Sequence, residues 1–243
     1  MSRFVRVGAM ALSALAVVAA AAMGQAARSP AHRAAQSLDQ LKDFDGVALG
    51  GPDRVLVRHG AAFAVTVEGD PQAIAQLDIY VENHVLHVDR RDLHRRWSRP
   101  DRGATVHVTL PQLRSASLDG SGDLSIDRMD AERVEASIAG SGNLAIDGMK
   151  ARQARLAVAG SGTLTARGAV QDTRLSLAGS GDIRADRLDA VTADVAISGS
   201  GNAYLRASRG VTASIAGSGD ATVHGTTNCR LNRVGSGDLH CSA

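Results

Sequence analysis

A large excess of basic over acidic charge is missing from this sequence. Its 243 residues hold 27 Lys and Arg against 25 Asp and Glu. Arg3 and Arg6 stand in a leader expected to be removed, which leaves 25 basic against 25 acidic residues and a formal charge of zero. A general nucleic-acid binder needs a cationic surface to displace counterions from phosphates, so that class is excluded. Lysine occurs only as Lys42 and Lys150, and the remaining positive charge is arginine. Cysteine is limited to Cys229 and Cys241. No cysteine follows the N-terminal apolar run, which excludes a lipoprotein attachment site. Histidine does not recur with the repeats described below, so a Ser–His catalytic pair cannot recur with them either.

What is present begins with that apolar run. Arg3 and Arg6 precede Val7 to Met23, and Gly24-Gln25-Ala26 supplies small residues for cleavage. The pattern predicts a signal peptide over residues 1–26. As a membrane anchor the run would be short, at about 17 residues. No membrane span is expected after cleavage, and the mature protein is expected in the periplasm or secreted. Residues 27–41 are polar and Ala-rich and read as a linker. In an oxidising compartment the Cys229 and Cys241 pair reads as a disulfide. It would close the last dozen residues, for about 3 kcal/mol in the chain-entropy model.

The second half of the chain is organised by seven copies of one tripeptide. They are Gly120-Ser121-Gly122, Gly140-Ser141-Gly142, Gly160-Ser161-Gly162, Gly179-Ser180-Gly181, Gly199-Ser200-Gly201, Gly217-Ser218-Gly219 and Gly235-Ser236-Gly237. The steps are 20, 20, 19, 20, 18 and 18 residues. Two residues before each first glycine stand Leu118, Ile138, Val158, Leu177, Ile197 and Ile215, with Arg233 in the last copy. Two residues after each second glycine stand Leu124, Leu144, Leu164, Ile183, Ala203, Ala221 and Leu239. Period two on both sides of the tripeptide gives each flanking strand one apolar face. Equivalent positions match in every copy, so copies are expected to stack in register as parallel strands. The fold class is all-β, a parallel β-solenoid of coils about 20 residues long with Gly-Ser-Gly corners. Second corners are expected near Asp127–Asp130, Asp147–Lys150, Asp186–Asp189 and Ser208–Gly210.

Residues 42–112 are strand-rich and less regular. Strands are expected at 55–57, 63–67, 85–88 and 105–110, forming a cap or irregular first coils. Asp70 before Pro71 reads as a helix start, with Ile74 and Leu77 facing inward. Residues 113–243 are the repeats, so 42–243 is one domain.

Several constellations suggest chemistry. Asp123, Asn143, Thr163, Asp182, Asn202, Asp220 and Asp238 follow the second glycines and resemble a calcium column. Too few carboxylates face each other for a cation cage, and bonds to their own turn backbone are the expected role. The seven serines read as a stacked hydroxyl ladder. His84 and His87 fall on opposite faces if they share a strand, which disfavours a metal pair. Trp97 lies in a polar loop among Arg90, Arg91, Arg95, Arg96, Arg99 and Arg102. It reads as a cover for a sheet edge or as a possible ligand contact. No metal, cofactor or catalytic residue is expected.

The chain resembles the GIN-domain family of auto-transporter adhesin heads. Phe44-Asp45-Gly46-Val47, Val85-Leu86-His87-Val88, Val108-Thr109-Leu110-Pro111 and Leu118-Asp119-Gly120-Ser121-Gly122-Asp123-Leu124 carry the resemblance. It implies a β-helical envelope protein and brings no catalytic residue with it. A true auto-transporter carries a C-terminal membrane barrel, and this sequence stops at Ala243 just after the seventh tripeptide, so the adhesin label is an analogy here. The function expected is a non-enzymatic envelope protein that binds another envelope protein or a glycan. The alternative is a polysaccharide-active β-helix enzyme. That would need acids and arginines clustered across coils, and the outward positions show no such cluster in the sequence.

Overall fold

A computed structural model describes residues 37–91 and 103–243. The expected signal peptide, most of the expected linker and Trp97 lie outside the described residues. In the N-terminal part, β1 (Gly46–Gly50), β2 (Arg54–His59) and β3 (Ala64–Gly69) lead to the single-turn α1 (Pro71–Ile74). The chain continues with β4 (Leu77–Glu82), β5 (Val85–Arg90) and β6 (Ala104–Leu110). The repeats supply β7 (Ser115–Gly120), β8 (Asp123–Ile126), β9 (Met129–Gly140), β10 (Asn143–Gly160), β11 (Thr163–Gly179), β12 (Asp182–Gly199), β13 (Asn202–Gly217), β14 (Ala221–His224), β15 (Cys229–Gly235) and β16 (Leu239–Ser242).

The repeats stack as a parallel β-solenoid. Leu144 lies beside Leu124 and Leu164, and Val158 beside Ile138 and Leu177. Both expected apolar columns are buried through six coils. A third inward column, Met129, Met149 and Leu188, closes the interior on a shorter side. Ladder irregularities between Ile146 and Met149, Thr165 and Arg167, and Ala185 and Asp189 mark the second corner.

The Gly-Ser-Gly corner is built by backbone. The carbonyl of Gly120 accepts from Ser141 N–H at 2.9 Å and from Gly142 N–H at 3.0 Å, and the same pair of bonds recurs up the stack. The first glycine of each corner has φ between +121° and +132°, which a side chain disfavours. The second glycine is required by stacking alone, since a Cβ on Gly142 would lie 2.3 Å from the Gly122 carbonyl oxygen. All seven serines are exposed. The expected ladder is therefore a backbone ladder with its hydroxyls facing solvent.

The polar column after the corner also differs from expectation. Three of its side chains bond to the next coil, and Asp238 in the last copy accepts from Leu239 N–H of its own turn at 2.8 Å. Asp182 accepts from Asn202 N–H at 3.3 Å, Asn202 Oδ1 from Asp220 N–H at 3.2 Å, and Asp220 from Asp238 N–H at 2.8 Å. The coil spacing brings the neighbouring N–H within reach of a short side chain, and that bond also ties two coils together.

The N-terminal strands form two more coils, in an order the chain does not follow. The β1–β2 coil lies between β5–β6 on one side and β7–β8 on the other, all parallel. Its corner is Gly50-Gly51-Pro52-Asp53, and the Gly51 carbonyl accepts from Gly122 N–H at 2.9 Å. β3 and β4 then pair antiparallel to β6 and β5 and finish that end of the stack. Asp70 caps α1 by accepting from Gln72 N–H at 2.9 Å. Leu77 opens β4 rather than extending the helix, a strand that sequence periodicity missed because its residues are mostly half-buried on both faces. Phe63 precedes β3 and packs on Phe44 at 5.0 Å. Leu41, at the end of the expected linker, is buried in the core.

At the other end Cys229 and Cys241 are disulfide-bonded. They stand on β15 and β16 and pack against the core from two sides of the last coil. Arg233 takes the apolar column position there. It stays half exposed and reaches Asp238 at 3.6 Å.

Neighbour-only contacts predict that deleting Ser141 to Gly160 removes one coil and leaves a cooperatively folded β protein by circular dichroism, whereas a ten-residue deletion does not fold. Gly142→Ala is expected to destabilise by about 2 kcal/mol through overpacking against the Gly122 carbonyl. The exposed Ser141→Ala change should stay within about 0.5 kcal/mol of wild type in thermal unfolding.

Candidate functional site

The solenoid frame repeats its inward residues and leaves its outward residues free. Five and seven residues before each first glycine lie two outward columns. One reads Glu135, Arg155, Arg174, Asp194, and the other Arg133, Gln153, Asp172, Thr192. Between them runs the inward column Val134, Ala154, Thr173 and Ala193, all buried. These columns line a shallow groove of about 600 Å³ across five coils, with Arg114 and Ser115 at its N-terminal end. Closer to the corner the outward residues are small: Ser137 and Ala139, Ala157 and Ala159, Ser176 and Ala178. The long side chains of the two charged columns therefore stand beside a flat strip.

The acids and arginines that seemed scattered in the sequence thus meet in space, which corrects the expectation of no outward cluster. The signal was present as two columns at a fixed distance from the glycines. It was missed because the residue there changes sign or type along the stack, from Glu135 to Arg155 and Arg174 to Asp194. Arg174 Nε reaches Asp194 Oδ2 at 3.7 Å, Thr192 donates to Asp172 at 2.6 Å, and Arg114 reaches Asp45 at 3.5 Å. Arg133 and Arg155 pair with no acid among the described residues. Asp172 and Asp194 are both exposed and already engaged.

The other candidates resolve differently. His84 sits in the two-residue turn between β4 and β5, with φ +62°, and its Nδ1 lies 2.9 Å from the Asp43 carbonyl oxygen. His87 stacks on Tyr80, with ring centroids 4.9 Å apart. Among the described residues no group of three His, Cys, Asp or Glu side chains converges on a metal position. No helix among them is long and apolar enough to cross a membrane.

Two polar features near the N-terminal end were not foreseen. Asp53 and Arg90 form a buried ion pair, each side chain 1% exposed. Arg90 Nε donates to Asp53 Oδ2 at 2.6 Å, and Ala104 N–H donates to Oδ1 at 2.9 Å. The pair clasps the Gly50–Asp53 corner to the end of β5 and the start of β6. Beside it, Asp78 pairs across strands with Asp89, and Asp119 with Gly50. A Cβ on Gly50 would lie 2.3 Å from Asp89 Oδ1, so glycine makes room for that carboxylate. Burial holds the Asp89 carboxyl above the usual carboxylate range. The Tyr80 hydroxyl and His87 lower it, and Asp78 and Asp119 add to the rise.

With this geometry the chain can be placed among known proteins. The family described as "Putative auto-transporter adhesin, head GIN domain" matches residues 43–227. The chain belongs to this family. Solved structures share the GIN domain's fold. A "putative adhesin" from Bacteroides fragilis NCTC 9343 is similar with a TM-score of 0.78 and 20% identity, over 84% of this chain and 94% of that one. A "putative lipid binding protein" from Parabacteroides distasonis ATCC 8503 is similar with a TM-score of 0.66 and 21% identity, over 84% and 94%. A "putative adhesin" from Parabacteroides merdae ATCC 43184 gives 0.61 and 16%, over 84% and 93%. Among curated proteins none matches this chain. At these identities the likeness establishes the fold, and the GIN domain's ligand must be argued from its own residues.

A carboxyl raised by burial favours the folded state while protonated. That contribution is full below the unfolded carboxylate value and is lost as pH rises through the raised folded value. Asp89→Asn keeps an acceptor for Tyr80 and carries no charge. It is therefore expected to melt higher than wild type at pH 7, with the gap closing as pH falls toward about 4.

Proposed function

We propose that this GIN domain is a non-enzymatic binding head exported to the bacterial cell envelope, and that it engages its partner through the charged groove. The observation that carries the reading is the contrast between columns. Most positions of the coil are held to small or aliphatic residues by stacking, while the groove columns hold Arg, Gln, Asp, Glu and Thr in no repeating order. Stacking does not require these residues, and their side chains offer hydrogen bonds to an external partner. The leader pattern at residues 1–26 and the bridged Cys229 and Cys241 support an oxidising, exported location. The family's adhesin description supports binding of something external.

One observation favours a second reading. Glu135, Asp172 and Asp194 stand in the same groove as four arginines, the composition a polysaccharide-active enzyme would use. All three acids are exposed, and Asp172 and Asp194 already have partners. This favours binding over turnover, since a general acid works from a desolvated site.

The full chain, expressed in a bacterial host, is expected in the periplasmic fraction with its mature N-terminus just after Ala26. It should be retained saturably by isolated cell envelopes, and the paired change Arg174→Ala with Asp194→Ala should weaken retention without lowering thermal stability by more than about 1 kcal/mol. Reducing ends should not accumulate when acidic polysaccharides are supplied. Turnover abolished by Asp172→Asn or Asp194→Asn would establish the enzymatic reading instead.

A further inference from the structure

We infer that the groove binds an acidic oligosaccharide. An anionic sugar unit is held by Arg133, Gln153 and Arg155, and neutral, hydroxyl-rich units lie over Asp172, Thr192 and Asp194. The inference rests on the binding-head reading above and specifies the ligand of that same groove.

The charge order along the stack carries the argument. In the column five residues before the corner, Glu135, Arg155, Arg174 and Asp194 are register partners in successive coils. Arg155 and Arg174 are thus placed side by side on neighbouring strands, and like charges directly opposite destabilise a sheet. Arg174 is relieved by Asp194 at 3.7 Å. Arg155 has Glu135 as its other register partner and still forms no ion pair among the described residues. Arg133, which is in register with Gln153, also reaches no acid. Elsewhere on the solenoid some arginines pair with acids of the adjoining coil, as in Arg152 with Glu132 at 3.9 Å and Arg167 with Asp147 at 3.7 Å, while Arg128 and Arg187 stand singly and pair with no acid among the described residues. In the groove two such arginines lie on adjoining coils. That end of the groove therefore carries Gln153 and the Glu135 carboxylate beside two guanidiniums that form no ion pair among the described residues, a net charge of +1 for these four side chains. The forked donors of the guanidiniums suit a carboxylate or a similar planar or tetrahedral anion.

The far half of the groove asks for something else. Asp172 accepts from Thr192, and Asp194 faces Arg174. These oxygens have lone pairs left for hydroxyl donors, and their charge repels a second anion. A ligand anionic throughout, such as a nucleic-acid backbone or an anionic membrane surface, fits one half and is repelled by the other. An extended peptide adds to a sheet through free backbone groups, but the strands beneath the groove are paired on both sides. Among the described residues no aromatic ring lines the groove. Neutral sugars therefore find no stacking platform, and affinity must come from the anionic unit. Five coils at about 4.8 Å spacing extend the site over about 19 Å, room for a chain of several sugar units.

The test is calorimetric titration of the full chain with three probes at low and physiological salt. They are a xylo-oligosaccharide bearing one glucuronate, the same oligosaccharide without it, and vesicles rich in an anionic phospholipid. The acidic oligosaccharide should bind saturably and at least about tenfold more tightly than the neutral one. Its affinity should fall with salt, and the vesicles should not be retained. Arg133→Gln and Arg155→Gln should each weaken it about ten- to hundredfold, while Arg187→Gln on another edge should not. Arg155→Gln should also leave the melting temperature unchanged or raised, because it removes one of two opposed charges; a residue kept for stability would behave the other way. Equal affinity for both oligosaccharides, or loss of binding in Asp194→Asn but in neither arginine variant, overturns the acidic ligand and leaves the binding head standing. Vesicle binding through Arg133 and Arg155 without sugar binding overturns it too. A folded chain that binds none of the probes yet is retained by envelopes refutes this inference alone. Loss of envelope retention as well refutes both readings.

Discussion

Each coil hangs on one carbonyl oxygen. The first glycine of a corner presents it to two successive N–H groups of the next corner, and the next corner does the same in turn. The rest of the structure depends on this forked bond because it sets the coil spacing and the register together. A slip of one residue would break this pairing of donors and turn every apolar side chain outward. The bond also explains why glycine appears twice per corner for different reasons. The first takes a left-handed backbone conformation, and the second lies so close to the coil below that a methyl group does not fit.

A stack with that repeat has no natural end. Its terminal coils would expose a row of unpaired backbone groups, which invite edge-to-edge association. The two ends meet the problem differently. At the N-terminal end β3 and β4 reverse direction and pair antiparallel on β6 and β5, and the buried Asp53–Arg90 pair locks the corner behind them. Breaking one partner of such a pair strands the other charge out of water, so its value lies in geometry as much as in energy. At the C-terminal end the last coil has weaker apolar packing, with Arg233 at an inward column position. There the Cys229–Cys241 bridge ties the two final strands covalently.

The repeat also separates the tasks of the residues. Inward positions and corners are committed to stacking. Outward positions two apart lie on one face and are free to vary, and the coil spacing converts any such pair of positions into a continuous surface. The groove is one place where that freedom is used, with charge changing sign along the axis. Binding chemistry can thus be altered residue by residue there without disturbing the bond that holds the coils.

Most of the architecture was legible in the sequence. Gly-Ser-Gly at near-constant spacing, with Leu, Ile and Val at fixed offsets, implies coils, corners and buried columns, because period-two alternation and stacking are local rules applied seven times. The Asp70 cap and the cysteine pair were legible for the same local reason. Tertiary structure alone decided the rest. It set the β1–β2 coil between two coils that come later in the chain, because strand order in a stack follows pairing partners and not chain order. It turned Asp182, Asn202 and Asp220 toward an N–H of the next coil. It brought Arg133, Gln153, Arg155, Asp172, Arg174 and Asp194 into one groove. Residues 20 apart in the chain become neighbours only when their coils stack, and dissimilar residues in matching positions show no pattern until then.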